Sequence, residues 1–420
     1  MESNIQSQAY IALLILTGIN FLNYIDRQII FAVFPFIKDD LILSDKQLGF
    51  ISSAFIIVYL SVSPIFGRLG DMLTRKWIIA LGVGLGSLAT AGAGLAQNYS
   101  QLVLARSLIS IGEASYIVIA PALISDFFGK RDRGKALSFF VMALPIGSAL
   151  GYILGGYLGE VYGWRSAFFI VGLPGLLMGL LCLRIKEPER GAADRVLRFS
   201  RAESLRPKDL KRIYLSLLHN RQFMTAVLGL TAYGFALGGL GVWVPTFLHR
   251  IKGLPVGTAS KLFGLTLIPG ALFGTLVGGY LGDYFLKITD KAYFFTSSVG
   301  MLLSVPILII AILSKNPWVY WSAVSLAAFF LSFTVVLNAA IMNAVHPQIR
   351  STAMSVNIFI VHIFGDAISP VTIGWISDIS NLKTAMMVAP VMITISAMIL
   401  LFGARLSPSS EGLSSKESLG

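Results

Sequence analysis

The stretch RSLISIGEASYIVIAPALISD, running from Arg106 to Asp126, is an apolar helix long enough to cross a bilayer, yet it carries an arginine and a glutamate well inside its ends. Arg106 and Glu113 are separated by two helical turns, so they lie on one face, about 10 Å apart along the axis. A charge at the bilayer centre costs roughly 2.5–3.5 kcal/mol even on insertion scales. Two charges on one stripe therefore look into the protein or into water, and ionisable residues in such a position mark functional sites. Arg106 has a second reading, as an internal staple between helices.

The rest of the chain agrees with a membrane setting. Its 420 residues are 55% hydrophobic and 13% charged, with a mean hydropathy of +0.76, whereas a soluble protein carries about 25% charged residues. The single cysteine, Cys182, excludes a disulfide framework, and His219, His249, His346 and His362 are too scattered for metal-ligand spacing. No metal or cofactor is implied. The Gly82-x-Gly84-x-Gly86 pattern lies inside an apolar helix with no strand before it, so close helix packing explains it better than a nucleotide loop. Neither a phosphate-binding loop nor a serine–histidine–acid set is present, so neither an ATP-driven pump nor a hydrolase is expected. The apolar run after Tyr10 is too long for a signal peptide and lacks a basic leader. A net charge of +12 would suggest nucleic acid on a soluble protein, but here the basic residues gather in loops and report topology.

Apolar segments of about twenty residues recur twelve times, at roughly 10–33, 47–68, 77–97, 101–126, 134–160, 164–184, 222–248, 258–283, 291–314, 317–342, 351–376 and 383–404. They predict an all-α membrane protein of two six-helix bundles, 1–184 and 222–406, joined by a basic linker over 185–221 and followed by a serine-rich, disordered tail over 407–420. Within the linker, DLKRIYLSLL (Asp209 to Leu218) reads either as an amphipathic helix on the membrane surface or as a solvated connection. Arg75 and Lys76 crowd the loop after the second segment, and Lys130, Arg131, Arg133 and Lys135 the loop after the fourth. The positive-inside rule then puts those loops, the linker and both termini in the cytoplasm, and a bacterial inner membrane is the expected setting.

The two halves look like copies. Gly67-Arg-Leu69-Gly70-Asp71, with Arg75 four residues on, recurs as Gly279-Tyr-Leu281-Gly282-Asp283 with Lys287. Arg133-Gly-Lys-Ala136-Leu-Ser138 recurs as Arg350-Ser-Thr-Ala353-Met-Ser355 at nearly the same offset. Duplicated six-helix halves are the architecture of many secondary transporters, with the site at the pseudo-symmetric interface near the midplane.

On these residues the chain resembles the major facilitator superfamily, and within it the Spinster-like transporters. Gly67, Leu69, Gly70, Asp71, Arg75 and Lys76 fit the superfamily signature after the second helix, with Met72 and Thr74 departing from it. Asn23-Tyr24-Ile-Asp26-Arg27 also occurs in related organic-anion symporters. More specific to the Spinster-like group are Gly112-Glu113-Ala114-Ser115-Tyr116 and His362-Ile-Phe-Gly365-Asp366-Ala-Ile-Ser-Pro370. The resemblance implies a transporter, not an enzyme. It would move lysolipid-like amphiphiles, driven in several members by protons, with Asp26, Arg27, Arg106 and Glu113 lining the central cavity. The partners expected are an amphiphilic or lipid substrate, protons and the bilayer, with no nucleic acid and a monomeric chain. A transporter of organic acids or drugs with the same fold, and a non-transporting membrane receptor, are the rival readings.

Read physically, Asp26 lies late in an outward-running helix and Arg106 early in an inward-running one, so a contact between them is feasible. Glu113, near mid-helix in apolar company, suits reversible protonation. Asp26 and Glu113 are thus the expected proton carriers. Arg27 and Arg106 are the expected headgroup anchors, since guanidinium forks bind phosphate or carboxylate oxygens bidentately. The alternative is a fixed charge network holding helices in register. His362 and Asp366, one turn apart, form a second polar patch or a packing hydrogen bond. Tyr116, Tyr233, Trp243 and Phe247 are candidates to line an acyl-chain path. Gly67, Gly70, Asp71, Arg75 and Asp283 are candidate gating residues, with Asp71 facing a helix N-terminus. Finally, Gly147, Gly151, Gly155 and Gly159 form one stripe, and Gly270, Gly274, Gly278 and Gly282 another. Small residues let helices approach closely in lipid, so the fifth and eighth helices are predicted to cross along these stripes.

Overall fold

The computed structural model describes residues 2–190, 192, 207–346 and 349–406. Among them are twelve helices long and apolar enough to cross a membrane. Spans one to six are Ser7–Ala32, Asp45–Met72, Arg75–Ala93, Tyr99–Phe127, Asp132–Tyr162 and Trp164–Cys182. Spans seven to twelve are Arg221–Arg250, Val256–Leu286, Ala292–Leu313, Pro317–Asn343, Thr352–Ile379 and Leu382–Arg405. The all-α, twelve-span architecture expected from hydropathy is the one observed. The tail over 407–420 and the linker arginines Arg195, Arg198, Arg201 and Arg206 lie outside the described residues. Within the linker a helix forms over Pro207–His219, with Leu217 buried and Tyr214, Leu215 and Leu218 exposed.

Local signals set where several spans begin. Ser44 closes a capping box on span two, its hydroxyl accepting from Gln47 N at 3.1 Å while Gln47 Oε1 accepts from Ser44 N at 2.9 Å. Asn98, Asn316 and Asn381 cap spans four, ten and twelve through their side-chain oxygens. Interruptions follow the same logic. Span four breaks after Ile117 and resumes at Ala120, where Pro121 has no N–H to continue the ladder. Span eleven carries a π-helical turn over His362–Asp366, a form that tends to occur at functional sites.

The chain divides into two compact units, Met1–Ala202 with Val242–Leu265, and Glu203–Gly241 with Thr266–Gly420. The end of span seven and the start of span eight thus group with the first six spans. Glycines set the packing within each unit. In the first, a Cβ on Gly151 would lie 2.7 Å from Ile25 O, one on Gly155 2.9 Å from Ile29 O, and those on Gly147 and Gly159 would press equally on Phe21 and Val33. The glycine stripe of span five is therefore a seat for span one. In the second unit, Cβ atoms on Gly270, Gly274, Gly278 and Gly282 would collide with Ser325, Phe329, Phe333 and Val336, all of span ten.

This corrects the expectation that the two stripes face each other. Each is filled by a neighbour from its own unit, because the period of small residues marks a close-packing face without saying which helix fills it. Spans five and eight do meet, through other glycines. A Cβ on Gly156 would lie 2.7 Å from Ser260 Cβ, and one on Gly264 2.8 Å from Ala149 O.

Candidate functional site

The charged residues of spans one and four come together inside the first unit. Arg27 leaves span one toward span four and forms an ion pair with the Glu113 carboxylate. The two partners differ in access, since 28% of the Arg27 side chain is exposed against 5% for Glu113. Aromatic rings surround the guanidinium, with Phe55 at 4.9 Å, Tyr24 at 5.4 Å and Tyr59 at 5.7 Å from its carbon. Such faces replace part of the hydration that burial removes.

Arg106 takes a different place. It is 1% exposed and aims its guanidinium at span one's backbone, with Nη2 donating to Arg27 O at 3.1 Å and Nη1 to Asp26 O at 3.4 Å. Phe55 covers it at 4.5 Å. The expected meeting of Asp26 and Arg106 occurs through main-chain oxygen, not through the carboxylate. In this arrangement Arg106 staples span four to span one, and it offers no exposed fork to a headgroup. The Asp26 carboxylate instead accepts from Thr90 Oγ1 of span three at 3.1 Å, and its other oxygen has no partner among the described residues. Thr90, Phe55 and Tyr59 were not singled out from sequence, because a hydroxyl or a ring in an apolar span carries no signal until its neighbours are known.

The aromatic candidates separate. Tyr116 is fully buried, its hydroxyl donating to Leu16 O and its ring packed on Phe140, so it belongs to the core rather than to a path for acyl chains. Trp243 is likewise fully buried, 5.9 Å from Phe34, and Phe247 is nearly so. Tyr233 is half-buried and donates to Leu331 O at 3.1 Å. In the second unit, His362 Nδ1 lies 2.5 Å from Asp366 Oδ2 across the π-helical turn. Span seven approaches that turn through Gly238, where a Cβ would be 2.9 Å from Asp366 Cα.

The signature residues build a clasp at the end of span two. Arg75 is buried between Asp126 at 2.6 Å and Glu187 at 2.9 Å. Glu187 also accepts from the backbone amides of Arg75 and Lys76, both at 3.2 Å, which are unpartnered donors at the start of span three. Burial opposes the charge on Glu187, but the Arg75 side chain and these amides outweigh it and hold the carboxyl below its usual range. Arg190 completes the clasp by donating to the carbonyls of Gly70, Asp71 and Leu73 at the end of span two. Gly70 packs against Ile119, with no room for a side chain, while Asp71 is exposed. Gly67 sits beside Val118, and Asp283 accepts from Tyr293 Oη at 3.0 Å. Sequence reading missed Glu187 and Arg190, which lie in the linker far from the signature in sequence.

At the other end of the first unit Asp45 accepts from Lys38 at 2.5 Å and from Arg250 at 2.8 Å and 2.9 Å. Glu160 Oε2 accepts from Gly257 N, the second residue of span eight, at 2.8 Å. Among the described residues no three His, Cys, Asp or Glu side chains are placed to hold a metal ion.

Residues 16–370 match the Major Facilitator Superfamily profile. Protein spinster of Drosophila melanogaster is 33% identical over 391 residues, covering 90% of this chain and 63% of that protein. Protein spinster homolog 3 of Danio rerio is 34% identical over 391 residues, covering 89% of this chain and 78% of that one. The crystal structure of a bacterial homolog to the human lysosomal transporter Spinster, inward-facing and unoccupied, superposes with a TM-score of 0.84 at 25% identity. That match covers 95% of this chain and 97% of the other.

Proposed function

Because the chain belongs to the major facilitator superfamily and, within it, to the Spinster-like transporters, we propose that it is a proton-coupled carrier of a lysolipid-like amphiphile with an anionic or zwitterionic headgroup. It would work by alternating access in a bacterial inner membrane, as a monomer with both termini in the cytoplasm.

The observation that carries this reading is the pairing of a partly exposed Arg27 with a buried Glu113. Glu113 takes Arg27 Nη2, the nitrogen common to both bidentate edges of the guanidinium, so a charged Glu113 competes with a headgroup oxygen pair for it. While Glu113 is charged, it holds Arg27. A proton on Glu113 removes that partner and releases the fork to a phosphate or carboxylate, so proton and headgroup bind together. Asp26 is the second proton carrier in this reading. Among the described residues no cationic side chain is hydrogen-bonded to its carboxyl, so a proton can join it without stranding a buried cation. Tyr24, Phe55 and Tyr59 give the headgroup's first methylenes an apolar wall beside Arg27.

Equilibrium binding of lysophosphatidylglycerol to the purified protein across pH tests the competition. Affinity should rise as pH falls in the wild type. Glu113→Gln should bind tightly with little dependence on pH, and Arg27→Ala should bind weakly throughout. Equal pH dependence in the wild type and Glu113→Gln would count against the competition.

A further inference from the structure

Between the two carboxylates lies a cavity of about 10 Å³, room for one water molecule. Asn23 and Asp26 of span one, Gly86 and Ser87 of span three, and Gly112 and Glu113 of span four line it. Two of the buried polar atoms on these residues have no protein partner, the amide nitrogen Nδ2 of Asn23 and the carboxyl oxygen Oδ1 of Asp26. A buried donor or acceptor left without a partner is costly, because it has given up its water for nothing. One is a donor and one an acceptor, so the guest that satisfies both accepts and donates. A water does this; a cation would meet the Asn23 N–H with like polarity.

We propose that this cavity holds a single structural water that links Asp26 to Glu113, with Asn23 as its positioning residue. The water accepts from Asn23 Nδ2 and turns one hydrogen to Glu113; it donates the other to Asp26 Oδ1 when that carboxyl is charged and accepts from Oδ1 when it is protonated. Transfer is a pairwise hop. Protonated Asp26 gives its proton to the water oxygen as the water passes one of its own to the Glu113 carboxylate. Asp26 becomes the carboxylate, Glu113 the acid, and the water is regenerated. The surrounding charges are fixed by hydrogen bonds: Thr90 of span three holds the other oxygen of Asp26, Arg106 of span four binds the span-one carbonyls, and Arg27 holds Glu113. Tyr24 and Tyr59 stand on the Arg27 side, and Tyr116 of span four, whose hydroxyl donates to Leu16 O, also lies within electrostatic reach of Glu113. The relay makes one proton serve both carboxyls, so protonation at Asp26 reaches the residue that releases Arg27.

The inference rests on the proton-coupled reading, and the test separates the two. A Cβ on Gly86 would meet Gly112 Cα at 3.6 Å and Ile109 O at 3.7 Å, ordinary contact distances, so Gly86→Ala adds a methyl beside the water site without a clash. Gly84→Ala, where a Cβ meets nothing within 4 Å, makes the same chemical change away from the site. Infrared difference spectra between acid and alkaline buffer, recorded on the full chain in lipid in ordinary and oxygen-18 water, give the readout. The wild type should show carboxyl bands, assigned with Asp26→Asn and Glu113→Gln, together with a water O–H band that shifts with the oxygen isotope. That water band should be lost in Gly86→Ala and in Asn23→Leu, and kept in Gly84→Ala. Carboxyl bands that change without an isotope-sensitive water band, or a water band that survives Gly86→Ala, overturn the relay and leave the coupling standing. Should neither carboxyl band change, both the relay and the proton-coupled reading fall.

Discussion

Arginine placement separates what burial does from what binding needs. Arg106 is almost wholly enclosed and spends its donors on two main-chain oxygens, whereas Arg27 keeps an exposed flank. Charge-assisted hydrogen bonds of this kind contribute about 1.5–3 kcal/mol each. Arg106→Ala should therefore lower stability by about 2 kcal/mol or more, read as earlier thermal unfolding in detergent, while Arg27→Ala should unfold near the wild-type temperature and lose headgroup binding instead. An Arg106→Ala protein of wild-type stability that no longer binds lysolipid would restore Arg106 as an anchor. The sequence made both arginines and Glu113 legible, since charges in an apolar span stand out. It did not show which arginine pairs with Glu113, because Arg106 is two turns away on the same helix and Arg27 comes from another. Pairing across helices depends on rotation about each axis, which hydropathy does not encode.

At the scale of elements, the glycine runs and the clasp make separate tests. Gly151 seats span one so closely that a Cβ would lie 2.7 Å from a backbone oxygen and from Gln28 Cβ. Overpacking of this kind costs typically about 1–3 kcal/mol, so Gly151→Leu should destabilise the protein, and Gly84→Leu, with open space, should not. Equal unfolding temperatures for the two would contradict the assigned seat. The clasp of Glu187 on the start of span three predicts a pH dependence of defined sign. Its carboxyl is held below the ordinary range, so its stabilisation is complete above the unfolded value, near pH 4.3, and is lost as pH falls through the lower folded value. Wild-type stability should drop below about pH 4 more steeply than that of Glu187→Gln. Parallel curves would remove Glu187 from the account. The period of small residues was legible from sequence. Their partners were not, and neither was the clasp, because Glu187 lies over a hundred residues from the amides it satisfies.

At the scale of the molecule, twelve spans, their limits to within four residues and the duplicated halves followed from hydropathy and from repeats such as Gly67–Asp71 and Gly279–Asp283. These features are dictated by the bilayer, which leaves the backbone few alternatives. The division into compact units was less legible, because Val242–Leu265 groups with the first six spans through contacts such as Asp45 with Arg250. The central claim is that protonation of Glu113 governs whether Arg27 is free for substrate. Its most direct test is flux of a labelled lysophospholipid through proteoliposomes, with and without a pH gradient, comparing the wild type with Glu113→Gln. Gradient-driven flux is expected in the wild type, and in Glu113→Gln its loss with substrate exchange retained, since glutamine mimics the protonated carboxyl. Full gradient-driven flux in Glu113→Gln would contradict it.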